Sequence, residues 1–322
     1  YIGAAHMFKH TDYIYEIYKE KSFTAAAKNL FVSQPALSAT VKKLEADLGV
    51  KLFDRQSTPL KLTEAGEAYI KAIEDIDKIK RNFENYIVDV TSLNTGSVTV
   101  SGANFISSFI LPKIIMLFSK KYPNIHIGLK ESNSTNLQEL LLSEEIELLV
   151  DYDFDERLYT AYPLFREHIL VAVPSHLPVN QEFRHLSLSA VDIRNNKHLQ
   201  PEVCAIDLAT LQNECFVLLK QGNDMQFRSQ AFFNEYGFKP QRVMRPDQLM
   251  TAYNMSKAGM GVSFVTDTLI QSVTAGVELV FYKLNSPLAQ RTLYIGHKKN
   301  RYVSRAVQEF IKTALLVYQT KN

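Results

Sequence analysis

Residues 24–38 read Thr24-Ala25-Ala26-Ala27-Lys28-Asn29-Leu30-Phe31-Val32-Ser33-Gln34-Pro35-Ala36-Leu37-Ser38, and the chain runs on through Val41 and Leu44 to Leu48-Gly49. Thr24 is a capping residue type ahead of a short alanine-rich helix, whose small side chains leave room for another helix to cross closely. Phe31-Val32 interrupts that helix. Ser33 then caps a third helix with Gln34 and Pro35 in its first turn, where proline's missing N–H has no intrahelical partner to lose. Leu37, Val41, Leu44 and Leu48 recur at helical steps, and Gly49 ends the run. A short helix, a tight turn and a longer capped helix make a helix-turn-helix, which lays its second helix in the DNA major groove. Gln34 has the amide that pairs bidentately with adenine, and Ser33 and Ser38 can donate to base edges or phosphates. A plain helical hairpin with Gln34 merely exposed satisfies the same spacing.

Working outward, Phe8, Ile14, Tyr15 and Tyr18 predict a first helix over Phe8–Lys19. After Gly49, Lys51–Arg55 and Leu60–Thr63 are short strand patterns around the polar turn Gln56-Ser57-Thr58-Pro59. They read as a β-wing that sets Arg55 and Lys61 beside the phosphates. The net charge is only +2, but from Lys21 to Leu44 four lysines occur without a single Asp or Glu. Acid-free basic surface is what phosphate binding requires, although a solvated helical face can share that composition.

Thr63-Glu64-Ala65-Gly66-Glu67 opens another helix, with Thr63 as its cap and acids in its first turn. Ala72, Ile76, Ile79, Phe83, Tyr86 and Val90 follow at alternating steps of four and three, a heptad seam. From Glu64 to Val90 such a helix spans about 40 Å. Its stripe needs a partner, either its own domain or, as the 3.5-residue period favours, a second copy in a dimer.

Thr91–Ser97 reads as a linker. Beyond it, strand patterns at Val98–Val100, Ile125–Lys130, Ile146–Asp151, Ile169–Pro174, Phe216–Leu219 and Val262–Val265 alternate with helical ones. The helices fall at Ile110–Tyr122, Asn136–Ser143, Gln226–Tyr236, Leu249–Ala258 and Val303–Tyr318. This predicts an open, mostly parallel α/β array, and about 225 residues of it exceed one compact core, so two subdomains are expected.

The 322 residues are 46% hydrophobic and 22% charged, which excludes disorder. Two cysteines, Cys204 and Cys215, are too few for a disulfide framework or a structural zinc site and fit a reducing compartment. No run of about 18 apolar residues occurs, so a soluble cytoplasmic protein without a membrane partner is expected. Residues 1–7 read as an expression scar before a natural start at Met7. No nucleophile elbow, zinc-protease motif or phosphate loop is present, and Gly259-Met-Gly261 lacks a third glycine. No catalytic residue, metal ligand or cofactor is therefore expected. Asp151, Asp153, Asp155 and Glu156 open like a calcium loop, but Glu156 takes the glycine position, so this reads as an acidic loop at a subdomain crossover.

The segments Ser33-Gln-Pro-Ala-Leu-Ser38, Leu44-Glu45, Leu48-Gly49-Val-Lys-Leu-Phe53, Arg55 and Leu62-Thr-Glu-Ala-Gly66 together resemble the LysR-type transcriptional regulators. The likeness continues in Leu111-Pro112, Phe118, Tyr122-Pro123, Leu140-Leu141, Gly237-Phe-Lys-Pro240 and Gly259-Met-Gly-Val262. The resemblance implies a winged helix-turn-helix over residues 8–63 and a dimerising linker helix over 64–91. An α/β effector domain like a periplasmic binding protein would follow, with subdomain I at 92–162 and 267–322 and subdomain II at 163–266. The chain would cross near Tyr162–Pro163 and Val265–Thr266. The implied function is sequence-specific transcriptional regulation, without enzymatic activity, switched by a small-molecule effector bound between the subdomains. The implied partners are double-stranded promoter DNA with two half-sites, the effector, further copies of the chain as dimer and tetramer, and RNA polymerase.

Carried over by match, Ser33, Gln34, Pro35 and Ser38 would face the groove, while Thr24, Lys42, Arg55 and Thr63 would touch the DNA backbone. The effector cleft would take Asn104, Phe105 and Ile106 from the loop before Leu111, then Ser134, Asp224 and Met225, and Thr266 at the second crossing. Glu144, Glu145 and Glu147 depart from the Gly and Asp of many relatives. Phe105 stands where a small hydroxyl residue is common, which points away from a hydrogen-bonded anion and toward a more apolar effector. Cys204 and Cys215 lack the basic surroundings of peroxide-sensing relatives, and Cys215 reads as core. The competing function is a small-molecule binding protein whose N-terminal helices serve only oligomerisation.

Overall fold

The computed structural model describes residues 8–57, 59–91, 96–131, 134–274 and 276–319, of which 81, 82, 84, 85, 88–91, 134, 135 and 319 by backbone alone. The leader through Met7, Thr58 of the wing turn and most of the expected linker lie outside the described residues. The chain divides into two units, Tyr1–Ile87 and Val88–Asn322. Among the described residues no helix is long and apolar enough to cross a membrane.

The first unit holds α1 (Thr11–Glu20), α2 (Phe23–Asn29), α3 (Gln34–Leu48), β1 (Phe53–Asp54), β2 (Lys61–Leu62) and all but the last turn of α4 (Glu64–Thr91). Helix α1 starts three residues later than its apolar pattern suggested, and Phe8 instead stacks on Tyr69 from outside the helix, centroids 5.6 Å apart. The cap of α2 is Ser22, whose hydroxyl accepts from the Ala25 N–H at 3.3 Å; the expected cap, Thr24, sits exposed in the first turn. Ser22 wins because it alone has the extended backbone that a cap requires. Ala26 and Ala27 are buried and let α3 cross α2, while Leu37, Val41, Ile14, Ile17 and Phe53 complete the core. Helix α3 is capped by Ser33 as expected, and Gly49 ends it at φ 73°. The wing is the antiparallel pair β1–β2. At its base, Gly66 packs so closely that a Cβ would lie 2.0 Å from the Leu52 carbonyl oxygen, so only glycine fits.

The second unit starts with β3 (Gly96–Gly102), a π-helical turn (Ile106–Ile110), α5 (Leu111–Lys121), β4 (Ile125–Glu131), α6 (Ser134–Leu142) and β5 (Leu148–Asp151). Then come β6 (Tyr159–Pro174), α7 (Val179–Glu182), α8 (Ala190–Arg194), β7 (Cys215–Val217), α9 (Asp224–Glu235) and β8 (Arg242–Met244). The remainder is α10 (Leu249–Lys257), β9 (Val262–Thr266), α11 (Asp267–Ser272), β10 (Leu279–Lys283), β11 (Gln290–Lys298) and α12 (Arg305–Gln319).

The strands are ordered β4-β3-β5-β11-β6-β9-β7-β8, with β10 also on β6. The outer trios β4-β3-β5 and β9-β7-β8 are parallel, whereas every pairing made by β6, β10 and β11 is antiparallel. The sheet is therefore mixed rather than mostly parallel. Strand β6 pairs with β11 through Tyr159–His168 and with β9 from Ile169 onward. Strand β10 lies on Leu170–Pro174, and the chain returns to the first subdomain between Lys283 and Gln290. By pairing, β6 thus changes neighbours at His168–Ile169, and the β10–β11 connection passes the same point. The expected positions, Tyr162–Pro163 and Val265–Thr266, fall inside β6 and at the end of β9. Helices cover both faces: Phe118 and Phe310 pack 5.1 Å apart in one subdomain, and Phe216 and Phe233 5.1 Å apart in the other.

Candidate functional site

The first unit presents the start of α3. Ser33 accepts from the Ala36 N–H at 3.3 Å, which fixes the first turn and leaves Gln34 and Pro35 exposed. Gln34, Ser38 and Lys42, four residues apart, form a stripe beside the buried Leu37, Val41 and Leu44. Lys42 and Lys61 are exposed. Arg55 behaves differently from a free phosphate clamp. Its guanidinium donates to Ser38 Oγ at 3.2 Å and Glu45 Oε2 at 3.1 Å, and lies 4.9 Å from the Phe23 ring centroid. Thr63 is likewise committed within the fold, since its hydroxyl donates to Lys51 O and accepts from the Gly66 N–H at 3.0 Å.

Glu45, which pattern reading passed over as part of a motif, organises this face. It is 8% exposed, and its Oε1 accepts the N–H groups of Leu52 at 2.9 Å and Phe53 at 3.3 Å. One carboxylate therefore ties α3 to the wing strand and to Arg55. The signal was available as an acid on the apolar side of α3.

On α4, Tyr69, Ile70 and Ile73 are buried against the helix-turn-helix core. Of the seam, Ala72 and Ile76 are half-buried, whereas Ile79, Phe83 and Tyr86 are 69%, 63% and 50% exposed. Val90 has no described side chain.

In the second unit a cavity of about 680 Å³ opens between the ends of β3 and β5 on one side and the start of α9 on the other. Of the expected effector residues, Phe105, Ile106, Asp224 and Met225 line it. Asn104 is half-buried outside the lining, and Thr266 is fully buried, its hydroxyl capping α11 through the Leu269 N–H at 3.2 Å. The Ser134 side chain lies outside the described residues. The cavity also recruits residues that the sequence did not single out for binding, chiefly Asp151, Tyr152, Asp153 and Arg291.

Arg291 lies at the heart of the wall. Its side chain is 4% exposed, and its Nε donates to Glu167 Oε1 at 2.7 Å while its Nη1 donates to Asp224 Oδ2 at 2.5 Å. The guanidinium carbon sits 3.5 Å from the Tyr152 ring centroid. Asp224 also receives Arg228 Nε at 2.8 and 2.9 Å. Burial opposes its ionisation, but the Arg291 charge and the bonds from both arginines hold its carboxyl below the usual range. This linkage spans the cavity from α9 to β11.

Asp151 is in the opposite condition. Burial pushes its carboxyl up to about 6, and the charges of Asp224 and Asp153 add to that, against the Tyr152 N–H and Arg291. Among the described residues neither Asp151 nor Asp153 has an ion-pair partner; of the acidic stretch these two line the cavity, whereas Asp155 pairs with Arg157 outside it. The unusual glutamates have structural partners outside it: Glu144 with Lys298, Glu145 with Lys130, and Glu147 with Arg301 and the Thr99 N–H.

Among the described residues, His168, His198 and Asp267 alone bring three potential metal ligands together. Both rings lie 3.1 Å from Asp267 Oδ2, and Oδ1 accepts the His168 and Thr268 N–H groups. Here the carboxylate serves as a hydrogen-bond hub where β6 changes partners. Cys204 is exposed and Cys215 half-buried, so the latter begins its strand at the rim rather than in the core.

Two family signatures match the chain: the bacterial regulatory helix-turn-helix protein, lysR family, over residues 8–67, and the LysR substrate binding domain over residues 91–317. A helix-turn-helix-type transcriptional regulator of Bacillus subtilis strain 168, YcgK, is 28% identical over 307 residues, 94% of this chain and 91% of that one. The crystal structure of full-length CbnR with its target DNA is similar at a TM-score of 0.65 and 18% identity, covering 96% of this chain and 98% of CbnR. The BenM effector binding domain with its effector benzoate is similar at a TM-score of 0.55 and 20% identity, covering 70% of this chain and 93% of that domain.

Proposed function

The chain belongs to the LysR family of transcriptional regulators, and from that premise we propose that the exposed start of α3 reads promoter DNA while the cavity beneath Arg291 takes the effector. One observation carries the DNA half: a Ser33-capped first turn presents Gln34 to solvent on a helix tied to the wing through Glu45 and Arg55. Such a tip enters the major groove with its amide toward the bases, and Lys42 and Lys61 are placed for phosphates. CbnR is solved on its target DNA and BenM's effector domain with benzoate; the same division of labour suits this chain. The seam of α4 is the proposed dimer contact, because its outer half is apolar and exposed in the single chain. A dimer would set two reading heads on two half-sites, and tetramers would pair dimers.

The effector acts by shifting a population. It binds between subdomains already bridged by Asp224 and Arg291, favours one relative orientation, and so changes how the paired heads are held on DNA. RNA polymerase is the further partner this reading calls for, and a reader of bacterial promoters works in the cytoplasm. No cofactor is needed.

Gln34→Ala should weaken binding to specific promoter DNA by about 1–3 kcal/mol, relax sequence choice and leave random-duplex binding unchanged. Fluorescence anisotropy over a salt series checks it. A loss of equal size on every sequence would place Gln34 on the backbone. No preference for promoter over random duplex in the parent protein would return the chain to the oligomerising binding-protein reading. Ile79→Asp should raise the dimer dissociation constant by roughly tenfold or more, since it sets a charge in an apolar seam. Light scattering at micromolar concentration reads the outcome, and an unchanged mass would remove α4 as the contact.

A further inference from the structure

The effector cavity has an unusual charge balance. Four carboxylates line it (Asp151, Asp153, Asp224 and Asp247) against two cations, Lys220 and Arg291. Both cations are already engaged: Lys220 pairs with Asp247 at 3.0 Å, and Arg291 with Glu167 and Asp224. The Arg291 fork is thus turned toward two protein carboxylates, and its face is covered by Tyr152. An anionic ligand would have to displace a buried carboxylate to reach it, and would meet Asp151 and Asp153 besides. A cation meets no such obstacle. It finds half-buried Asp151 and exposed Asp153 two positions apart in the lining, neither held in an ion pair among the described residues, with the apolar side chains of Phe105, Ile106 and Met225 lining the cavity beside them.

We propose that the effector is an organic amine, with its ammonium group between Asp151 and Asp153 and its apolar body against Phe105, Ile106 and Met225. This rests on the cavity being the effector site. It refines the expectation drawn from Phe105: the cavity turns away from anions through its charges as well as through lost hydrogen-bonding groups. Charge pairing in a partly desolvated wall is stronger than on an open surface, and aromatic side chains add attraction for a cation.

The raised carboxyl of Asp151 adds a pH signature. Its folded-state value of about 6 lies above the ordinary 3.8, so the ligand-free protein loses stability as pH rises through that window. An ammonium group favours the ionised form and releases the proton. Amine affinity should therefore climb up to about pH 6 and level off above it. The groups that set this window, besides Asp151, are Asp224 and Asp153, which raise it, and Arg291, which lowers it.

The test is thermal unfolding of the full-length protein with matched probes, benzylamine against benzoate and putrescine against succinate, in the parent, D151N and D153N. An amine should raise Tm by roughly 5 °C at about a hundred times its Kd, while its carboxylate counterpart does nothing. D151N should abolish that rise, yet melt several degrees above the parent when ligand-free at pH 7.5, an advantage that vanishes near pH 4. D153N, at an exposed position, should weaken the amine several-fold without altering the fold. Stabilisation by benzoate or succinate and not by either amine would overturn the cation class and leave the effector site standing. An amine effect that survives both substitutions would also overturn it. No stabilisation by any probe would count against both the class and the site.

Discussion

Replacing Arg291 with methionine should destabilise the second unit by about 3–5 kcal/mol, the range for removing one member of a buried ion pair. Glu167 is fully buried, and its Oε1 receives Arg291 from two sides, at 2.7 and 2.5 Å. Without the guanidinium a charged carboxylate remains in the interior, far from water. Asp224 is affected less, because Arg228 still holds it through two bonds. Urea unfolding followed by far-UV circular dichroism measures the loss. The second arm is R291M/E167L, which removes the stranded charge with its partner. It should recover most of the stability, since a well-packed apolar pair can replace a buried ion pair nearly neutrally. A single-variant loss under about 1 kcal/mol would show that Glu167 finds another partner or water.

The second large effect belongs to Glu45. Glu45→Ala should cost the N-terminal unit about 2–4 kcal/mol, because the N–H groups of Leu52 and Phe53 lose their acceptor and Arg55 loses its anion. Glu45→Gln keeps an acceptor oxygen and should cost less than half as much. DNA affinity should fall in Glu45→Ala even though the carboxylate faces inward, since the wing is no longer fastened to α3. That separates it from Gln34→Ala, whose stability should match the parent. If Glu45→Ala leaves both stability and DNA binding intact, the wing is fixed by packing of Phe53 and Leu52 alone.

The N-terminal unit was legible because its determinants are local. Ser33, Gly49 and Thr63 stop and start helices through bonds within a few residues, and Leu37, Val41 and Leu44 repeat with the helix itself. Thr24 was misplaced as a cap because Ser22 is an equally good capping residue two positions earlier, and only backbone conformation distinguishes them. The second unit was read less completely. Strand β11 and the first half of β6 were missed, and the reason is chemical. Tyr159–His168 contains Pro163, Arg166 and Glu167, and β11 opens with Gln290-Arg291, so neither shows the apolar alternation of a half-buried strand. The residues that spoil the pattern, Glu167 and Arg291, are buried because they pair across strands, 124 positions apart in sequence. The cavity's main charges were hidden by the same fact. Phe105, Ile106, Asp224 and Met225 could be placed by match, whereas Asp151 and Arg291 come to line the cavity only when β5, β11 and α9 meet.

Strand β6 has one more consequence. Its 16 residues pass from one subdomain into the other without a break, and β10 and β11 run along the same edge. The two halves are thus joined by one uninterrupted strand and by the short connection between β10 and β11. Any rotation of one half against the other must therefore be taken up within this strand or in that connection. The compliant point is the slip in register between Leu293 and Tyr294, where the ladder is interrupted and a strand bends most readily. A change of angle between the halves would then register as twist in β6, greatest beside that slip in register.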